Sequence, residues 1–186
     1  MTTAEQKKNL KSFVKTWKDR GYEKGETQQF WLQLLRAIGY EYVDSVLFEE
    51  LTIRELYEIL RARMAVFCVE QDCPYQDMDG RDYESLHLFY TDGEGKVLAC
   101  LRVFWRDKEA GQAQIGRVLT TQRGIGLGSK ILNEGVAICR DQMQAKSIYL
   151  EAQVYAIGYY EKSGFHVASE EFLEDGIPHV KMEQKL

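Results

Sequence analysis

A glycine-rich hexapeptide, residues 123–128, separates an apolar segment typical of a strand from one typical of a helix. The first segment is Ile115–Thr120, and the apolar residues after the turn, from Ile131 to Cys139, recur at helical spacing. Three glycines in five residues let the backbone turn with several N–H groups aimed at one point, where the dipole of the following helix adds partial positive charge. The sequence therefore predicts a binding site for a phosphate or pyrophosphate, although a tight strand-to-helix turn that binds no ligand would show the same pattern.

Two other phosphate-binding loops do not fit this turn. The turn lacks the Gly-Lys-Ser/Thr ending of a nucleoside-triphosphate loop. A dinucleotide fold places an acidic residue on a second strand about 20 residues later, after a first strand near the start of the domain. Glu151 has roughly that spacing, but the turn lies two-thirds of the way along the chain, which argues against that fold.

The order of motifs around the turn is more specific than the turn alone. Arg123-x-x-Gly126-x-Gly128 precedes a predicted helix, a predicted strand and then Ala156-x-x-x-Tyr160-x-x-x-Gly164-Phe165. This arrangement resembles the GNAT family of acetyl-CoA-dependent N-acetyltransferases, in which the first motif binds the CoA pyrophosphate and the second closes the fold. Further segments look like the ElaA-like branch of that family over about residues 47–186: Val66-Phe67-x-Val69-Glu70-Gln71, Cys73-Pro74-Tyr75-Gln76-Asp77, Ile115-Gly116-Arg117-Val118 and Asp175-Gly176-Ile177-Pro178-His179.

The resemblance implies a fold, a cofactor and the residues that hold it. We expect an α/β protein with the GNAT fold, a mixed and mostly antiparallel sheet flanked by helices, that uses acetyl-CoA. Main-chain groups of Arg117, Val118 and Leu119 are implied to pair with the pantetheine arm, while the Arg117 side chain is equally open to a structural salt bridge. Ala156 would pack closely against the arm, and Gln153 stands where many family members have asparagine. The pyrophosphate is implied to bind at Arg123, Gly124, Ile125, Gly126, Leu127, Gly128 and Ser129.

The chemistry of the acceptor predicts what catalysis requires. An alkylamine has a pKa near 10.4, so holding it neutral at pH 7 costs about 4.6 kcal/mol, and only the neutral form attacks a thioester. A base or a water chain is therefore needed, and an acid that protonates the departing thiolate would help. Tyr160 matches the family tyrosine with the acid role, whereas Tyr159 is expected to be a core residue. Glu70 is the first carboxylate considered for the base, and it is followed by three residues that are also open to structural or substrate-binding roles: His87, Glu151 and His179.

Two acidic segments can border the acceptor side of such a fold. One holds Asp72, Asp77, Asp79, Asp82 and Glu84, and the other holds Glu170, Glu171, Glu174 and Asp175. Charge runs of this kind are usually solvated faces. We nevertheless predict that they attract a cationic amine, on a small molecule or on a lysine-like side chain of a peptide. The scattered arginines and lysines predict no matching site for an anion.

The composition agrees with a folded enzyme that has no membrane span. A chain of 186 residues with 45% hydrophobic content suits one domain with a small extension. No apolar run approaches the roughly 18 residues of a span, and the start lacks a signal-peptide pattern. The cysteines do not repeat at zinc-like intervals, so we expect reduced thiols, no metal and a cytoplasmic location. A net charge of -5 argues against a general nucleic-acid binder.

Residues 1–46 are predicted to form a helical extension. Leu10, Phe13, Val14 and Trp17 mark one helical face, and residues 30–38 mark a second. Such short helices cannot bury large aromatic faces alone, so we expect them to pack on the main domain or on a partner chain, for example in a homodimer. Residues 21–32 resemble the N-terminal helical region of certain bacterial DNA methyltransferases, but no methyltransferase motif follows. A rival function is a non-catalytic CoA-binding or interaction protein that works through these helices.

Local signals divide residues 47–186 into strand, helix, loop, three strands, helix, strand, helix and two strands. Thr52 and Glu55 form a capping box, followed by an apolar stripe that includes Tyr57 and Met64. The run Asp92-Gly93-Glu94-Gly95 predicts a hairpin turn. Strands are predicted over residues 86–91, 97–105, 114–120 and 147–154, and a loop over residues 70–83.

Overall fold

The computed structural model describes residues 3–17 and 44–186. The chain divides into two units, Met1–Tyr42 and Val43–Leu186. In the first unit, helix α1 spans Thr3–Trp17, which confirms the first predicted helix; the second, over residues 30–38, lies outside the described residues. Within the described ranges, no helix is both long and apolar enough to cross a membrane.

The second unit is a mixed eight-stranded sheet with helices. Its strands are β1 (Asp44–Leu47), β2 (Leu86–Thr91), β3 (Val97–Asp107), β4 (Gln112–Thr120), β5 (Ser147–Gln153), β6 (His166–Val167), β7 (Phe172–Glu174) and β8 (Ile177–Lys185). Its helices are α2 (Ile53–Arg63), continued by a π-helical segment (Met64–Glu70); α3 (Leu127–Ala137), continued likewise over Ile138–Gln142; and the short α4 (Ile157–Glu161). These elements confirm the predicted α/β class and a mostly antiparallel sheet.

Three details differ from the predicted elements. β1 begins at Asp44, upstream of the expected start at residue 47. Three strands rather than two follow α4, because β7 and β8 form a separate hairpin closed by Asp175 and Gly176. The predicted loop over residues 70–83 ends in a 3-10 turn, Arg81–Glu84.

Short-range signals account for the ends of α2 and of the β2–β3 hairpin. The Thr52 hydroxyl accepts a hydrogen bond from the Glu55 amide at 3.2 Å, and the Glu55 carboxylate accepts one from the Thr52 amide at 2.9 Å. This confirms the capping box, which satisfies donors that a helix start leaves unpaired. In the hairpin, the Asp92 carboxylate accepts hydrogen bonds from the amides of Glu94 and Lys96. The predicted turn is therefore also confirmed.

The sheet separates between β4 and β5, its parallel pair of strands. The strand order is β1-β2-β3-β4-β5-β8-β6, with β7 also paired to β8, and every neighbouring pair except β4 and β5 is antiparallel. The β4–β5 pairing covers only Gln112 to Gln114 against Ser147 to Tyr149. Beyond these residues the two strands separate, so their C-terminal halves form a V-shaped gap.

A bulge in β4 changes which face its side chains occupy. The register against β3 shifts between Cys100, opposite Leu119, and Arg102, opposite Gly116, so two residues of β4 oppose one of β3. Arg117, inside this bulge, has a positive φ of 54°, which is unusual for a residue with a side chain. Because of the extra residue, Ile115 and Leu119 lie in different core clusters instead of on one face.

Hydrophobic side chains cover both faces of the sheet. On one face, Ile131 and Leu132 of α3 pack in a cluster with Leu101 and Ile115. On the other, Ile59 and Ala62 of α2 and Val66 of its π-helical continuation pack in a cluster with Phe89, Cys100 and Leu119. Each fully buried aliphatic side chain contributes about 1.5–3 kcal/mol to folding. The predicted stripe on α2 is wrong in part, since Tyr57 and Met64 are exposed and Arg63 is buried instead.

Arg63 belongs to a buried network of three arginines and three aspartates. Its guanidinium donates to the carboxylates of Asp77 and Asp82 at 2.8 and 2.7 Å, and its side chain is only 1% exposed. Arg102, on β3, binds Asp82 at 3.0 Å and also binds Asp79. Arg117 binds the second oxygen of Asp77 at 2.8 Å. The network therefore joins α2, β3 and the β4 bulge to the segment over residues 77–82.

The network lowers the pKa of two of its carboxyl groups, those of Asp79 and Asp82. Burial alone would raise the pKa of Asp82, but hydrogen bonds and charge from Arg63 and Arg102 outweigh it and lower that pKa. The pKa of Asp79 is also lowered, since Arg102 and the Arg81 amide overcome the effect of burial. A carboxyl with a lowered folded-state pKa stabilises the fold above its unfolded pKa of about 4 and loses that contribution as the pH falls.

We expect Arg63→Met to lower the free energy of unfolding by about 3–5 kcal/mol, because it removes one of the two arginines that bind each of the buried carboxylates of Asp77 and Asp82 and leaves uncompensated negative charge in the network. Denaturant unfolding at neutral pH measures the change. Arg61→Met is the matched control, since the exposed Arg61 on the same helix pairs only with Glu58 and should matter by less than about 1 kcal/mol. The difference between Arg63→Met and the wild type should shrink below about pH 4. Equal effects of the two substitutions would contradict the role of the network.

Candidate active site

The gap between β4 and β5 is the mouth of a cleft of about 490 Å³. Its walls include main chain and side chains from both strands, from α4 and from β7 and β8. Of the residues predicted to bind the cofactor or substrate, nine line it together with Tyr160: Arg117, Val118, Leu119, Arg123, Gly128, Glu151, Gln153, Ala156 and His179. The structure thus brings most of the predicted residues to one place.

The predicted glycine turn has the backbone that an anion site requires. Gly124 and Gly126 have positive φ angles of 79° and 82°. Gly126 is the N-cap of α3 and no side chain caps the helix start. The first N–H groups of α3, on Leu127, Gly128 and Ser129, are therefore available, at the positive end of the helix dipole. The turn, with Ile125 between the two glycines of positive φ, fits a phosphate or pyrophosphate.

Tyr159 is a site residue that the sequence prediction missed. We expected a core residue, and its ring does pack against the core. Its hydroxyl, however, is buried without a hydrogen-bond partner among the described residues. A Cβ added at Gly128 would lie 3.3 Å from that oxygen, so the glycine keeps open the space in front of it. An orphaned hydroxyl beside the glycine turn fits a polar group of the cofactor arm; the sequence offers only its position next to Tyr160.

Tyr160 lies in the cleft wall with its ring fixed by aromatic neighbours. Its ring is edge-on to Tyr159 at 4.9 Å and to Phe165 at 6.1 Å. Burial raises the pKa of Tyr160, with smaller contributions from Tyr159 and Tyr155. The hydroxyl therefore keeps its proton at neutral pH and can donate it.

Glu70 is not placed as the predicted base. Its carboxylate forms an ion pair with Arg123, and it is not among the residues that line the cleft. The next residue, Gln71, exchanges two side-chain hydrogen bonds with Gln153, of 3.3 and 3.2 Å. These contacts tie the end of the π-helical segment to the cofactor turn and to β5. The role of Glu70 as a base stays a prediction, and the sequence alone does not show its arginine partner.

His87 is also outside the cleft. It is 2% exposed, and its Nε2 lies 3.0 Å from the main-chain oxygen of Asp82. Burial lowers the pKa of His87, which keeps the ring neutral. The structure therefore gives this histidine a buried position beside the ion network, and its contact with a substrate stays a prediction.

Acidic groups gather on the wall formed by β5, β7 and β8. Glu151 accepts a hydrogen bond of 2.7 Å from the Tyr149 hydroxyl. Burial, and then the charge of Glu151, raise the pKa of Glu174. The His179 Nδ1 lies 2.8 Å from the main-chain oxygen of Ile177, and its Nε2 lies 3.8 Å from the Glu174 carboxylate. Two carboxylates and an imidazole therefore face the same cleft as Tyr160.

The predicted attraction of a cation by the first acidic segment is wrong for three of its members. Asp77, Asp79 and Asp82 are bound to arginines in the buried network and cannot supply free negative charge. In the second acidic segment, Glu174 and Asp175 do line the cleft. The Arg117 side chain makes the salt bridge that we considered, while its residue still contributes to the cleft wall.

Comparisons with known proteins agree with this architecture. A family model described as "Acetyltransferase (GNAT) domain" matches residues 57–186. An acyl-CoA N-acyltransferase from Pseudomonas aeruginosa has a similar crystal structure, with 36% identity and a TM-score of 0.69, covering 77% of this chain and 99% of that chain. The chain therefore belongs to the GNAT family of N-acetyltransferases, and acetyl-CoA is its co-substrate.

Within the family, the chain is similar to ElaA. Protein ElaA of Escherichia coli K12 is 34% identical over 141 residues, which cover 74% of this chain and 92% of that protein. The crystal structure of Escherichia coli ElaA has a TM-score of 0.72 at 32% identity, covering 77% of this chain and 99% of that chain. The family match begins at residue 57, so the methyltransferase resemblance of residues 21–32 stays a prediction.

Replacing Gly126 with valine should weaken CoA binding by at least about tenfold. A β-branched residue in a left-handed backbone costs about 1–2 kcal/mol or more, so the turn must change shape and misdirect its N–H groups. No atom lies within 4 Å of the added Cβ, which limits the effect to the backbone. Calorimetric titration with CoA measures it. Gly93→Val, in equally open space without a positive φ, is the control. Unchanged affinity in Gly126→Val would remove this turn from the cofactor site.

Proposed function

We propose that the protein acetylates a primary amine of a small molecule or peptide by direct attack of the amine on acetyl-CoA. The observation that carries this proposal is the pairing, in one cleft, of the protonated hydroxyl of Tyr160 with the carboxylates of Glu151 and Glu174. Acetyl-CoA supplies a thioester whose carbonyl carbon accepts the nucleophile. The chain supplies the turn that holds the pyrophosphate, the acid and the base.

The carboxylates suit an amine that arrives charged. An alkylammonium ion is attracted to Glu151 and Glu174 but must lose a proton before it can attack. Glu151 is the better base of the predicted candidates, because Glu70 is paired with Arg123 and His87 is buried outside the cleft. Glu151 receives one hydrogen bond from Tyr149, which orients the carboxylate and leaves its other oxygen for the amine or a water.

Tyr160 is suited to donate a proton to the departing CoA thiolate. The departing thiolate needs a proton, and a phenol whose pKa is raised by burial remains protonated until it is needed. The rings of Tyr159 and Phe165 hold Tyr160 in place, so the hydroxyl does not have to be ordered during the reaction.

Direct transfer is favoured over an acetyl-enzyme intermediate. Cys73 is the cysteine that lines the cleft. Burial raises its pKa, and its thiol donates to the main-chain oxygen of Asp175. A thiol held protonated in this way is a poor nucleophile, because the thiolate is the reactive form.

The proposal includes the arrangement of the chain. Residues 47–186, together with the start of β1 at Asp44, would form the acetyltransferase domain, and residues 1–46 a helical extension. The rival function is a non-catalytic CoA-binding or interaction protein. Thiol release from acetyl-CoA with a panel of primary amines distinguishes the two: CoA binding without turnover of any amine would favour the rival.

Tyr160→Phe should lower kcat by roughly 100-fold or more, the effect expected when a general acid is lost. The affinity for CoA should stay close to that of the wild type, since the phenyl ring keeps its aromatic contacts. Steady-state kinetics and CoA titration measure the two quantities. Tyr83→Phe removes an exposed hydroxyl away from the cleft and is the control. A wild-type kcat in Tyr160→Phe would assign the proton transfer to water or to another group.

Glu151→Gln and Glu70→Gln form a matched test of the base. Glu151→Gln should lower kcat/KM for the amine by roughly 100-fold at neutral pH, because the amide cannot accept the ammonium proton. Glu70→Gln should leave kcat within about threefold of the wild type, since it only releases Arg123 at the cofactor turn. The pH dependence of kcat/KM is recorded for both variants. If the larger loss instead follows Glu70→Gln, Glu70 is the base and the ion pair with Arg123 must open during the reaction.

A further inference from the structure

A second cavity, of about 350 Å³, adjoins the acceptor side of the cleft. Gln114 lines both cavities, so it is their shared wall. In the sheet, Gln114 pairs with Phe104 on one side and Tyr149 on the other, so these three side chains lie on one face. The second cavity is lined by Arg81, Phe104, Arg106, Asp107, Gln112 and Gln114.

Aromatic rings hold the two arginines of this cavity in position. The Arg106 guanidinium lies 3.6 Å from the centroid of the Tyr149 ring, and that of Arg81 lies 5.5 Å from the centroid of Phe104. Phe104 and Tyr149 are buried, at 4% and 3% exposure, so they form a fixed floor. A contact with the face of a ring positions a guanidinium and leaves N–H groups on its edge that can donate to an anion.

The charges of these two arginines are not neutralised in the described part of the chain. No carboxylate there lies within ion-pair distance of either one, and the side chain of Arg106 makes a hydrogen bond of 3.2 Å to the neutral amide of Gln114. The one acid of this cavity, Asp107, accepts a hydrogen bond from the Ala110 amide in the following turn. The nearby arginines behave differently, since Arg63, Arg102 and Arg117 are all paired with aspartates.

The cavity is connected to the proposed base through one side chain. The Tyr149 ring that supports Arg106 donates its hydroxyl proton to Glu151. The positively charged cavity and the carboxylate wall of the cleft are thus separated by about the length of one tyrosine side chain. A molecule that binds both groups would have to span that distance along Gln114, the residue that lines both cavities.

We propose that Arg81 and Arg106 bind an anionic group, a carboxylate or a phosphate, on the amine acceptor. This inference rests on the proposed acetyl transfer and specifies its substrate class: a short acceptor with a primary amine at one end and an anion at the other. The amine lies between Glu151 and Glu174, and the anion accepts hydrogen bonds from the two guanidinium edges. The sequence analysis predicted no site for an anion, because Arg81 and Arg106 lie on different elements and only the fold brings them to one cavity.

Matched acceptors test the proposal. Acetylation is measured for γ-aminobutyrate against butylamine and for aminopropylphosphonate against propylamine, which separates a carboxylate preference from a phosphate preference. The wild type should favour the anionic member of at least one pair by about tenfold in kcat/KM, the range expected for one or two charge-assisted hydrogen bonds near the surface. Arg81→Gln and Arg106→Gln should each reduce that ratio. Arg140→Gln, in an exposed arginine paired with Asp141, should leave both rates unchanged.

The outcomes separate this inference from the proposed function. Turnover of amines without an anionic advantage, or equal losses for both members of a pair in Arg81→Gln, overturns the anion site and leaves the acetyl transfer in place. If the wild type acetylates no amine, the proposed function fails and the site is tested by phosphate titration of the CoA-saturated protein. Phosphate-dependent shifts of the Arg81 and Arg106 Nε–H resonances that are lost in Arg81→Gln would then support anion binding, and their absence would overturn it. Melting temperatures confirm that each variant is folded.

Discussion

The fold around the cleft depends on the buried network of Arg63, Arg102 and Arg117 with Asp77, Asp79 and Asp82. The network joins the segment over residues 77–82, which contributes to neither hydrophobic cluster, to α2, β3 and β4, because a guanidinium can bind two carboxylates at once. Removing one partner leaves charge buried without compensation, so the six groups are stable only together. This requirement places the segment over residues 77–82 against β3 and β4.

The same network explains how β4 keeps an unusual backbone. Arg117 occupies a left-handed conformation that costs about 1–2 kcal/mol for a residue with a side chain. Its guanidinium offsets that strain by binding Asp77 and Asp79. The bulge moves Leu119 to the α2 side of the sheet and leaves main chain of β4 facing the gap beside β5. An unpaired strand edge inside a cleft suits a ligand that pairs as a strand would.

Sequence reasoning predicted the features that depend on neighbouring residues. The Thr52 capping box, the Asp92 hairpin and the strands β2 to β5 follow from signals only a few residues long, and each was confirmed. The burial of Arg63 and the bulge at Arg117 were not predictable in this way. Both depend on Asp77, which is distant in sequence, and helical periodicity does not show that the arginine on α2 has a buried partner.

The prediction from the acidic segments was wrong in part for the same reason, because the sequence does not show which acids are paired with arginines. The acids that remain unpaired indicate where a cationic acceptor would bind. Counting acids in one segment suggested a negative surface, but pairing removes Asp77, Asp79 and Asp82 from it and leaves Glu151 and Glu174 as the acids of the cleft wall that carry the proposed chemistry. Stacking has the opposite effect, since a ring under Arg106 orders the guanidinium without cancelling its charge. One sheet face therefore changes from acidic at Glu151 to basic at Arg106 across a single tyrosine. A charge gradient of this kind selects an acceptor by the separation of its charged ends and not by its net charge, because each end is stabilised only where the opposite charge is left unpaired.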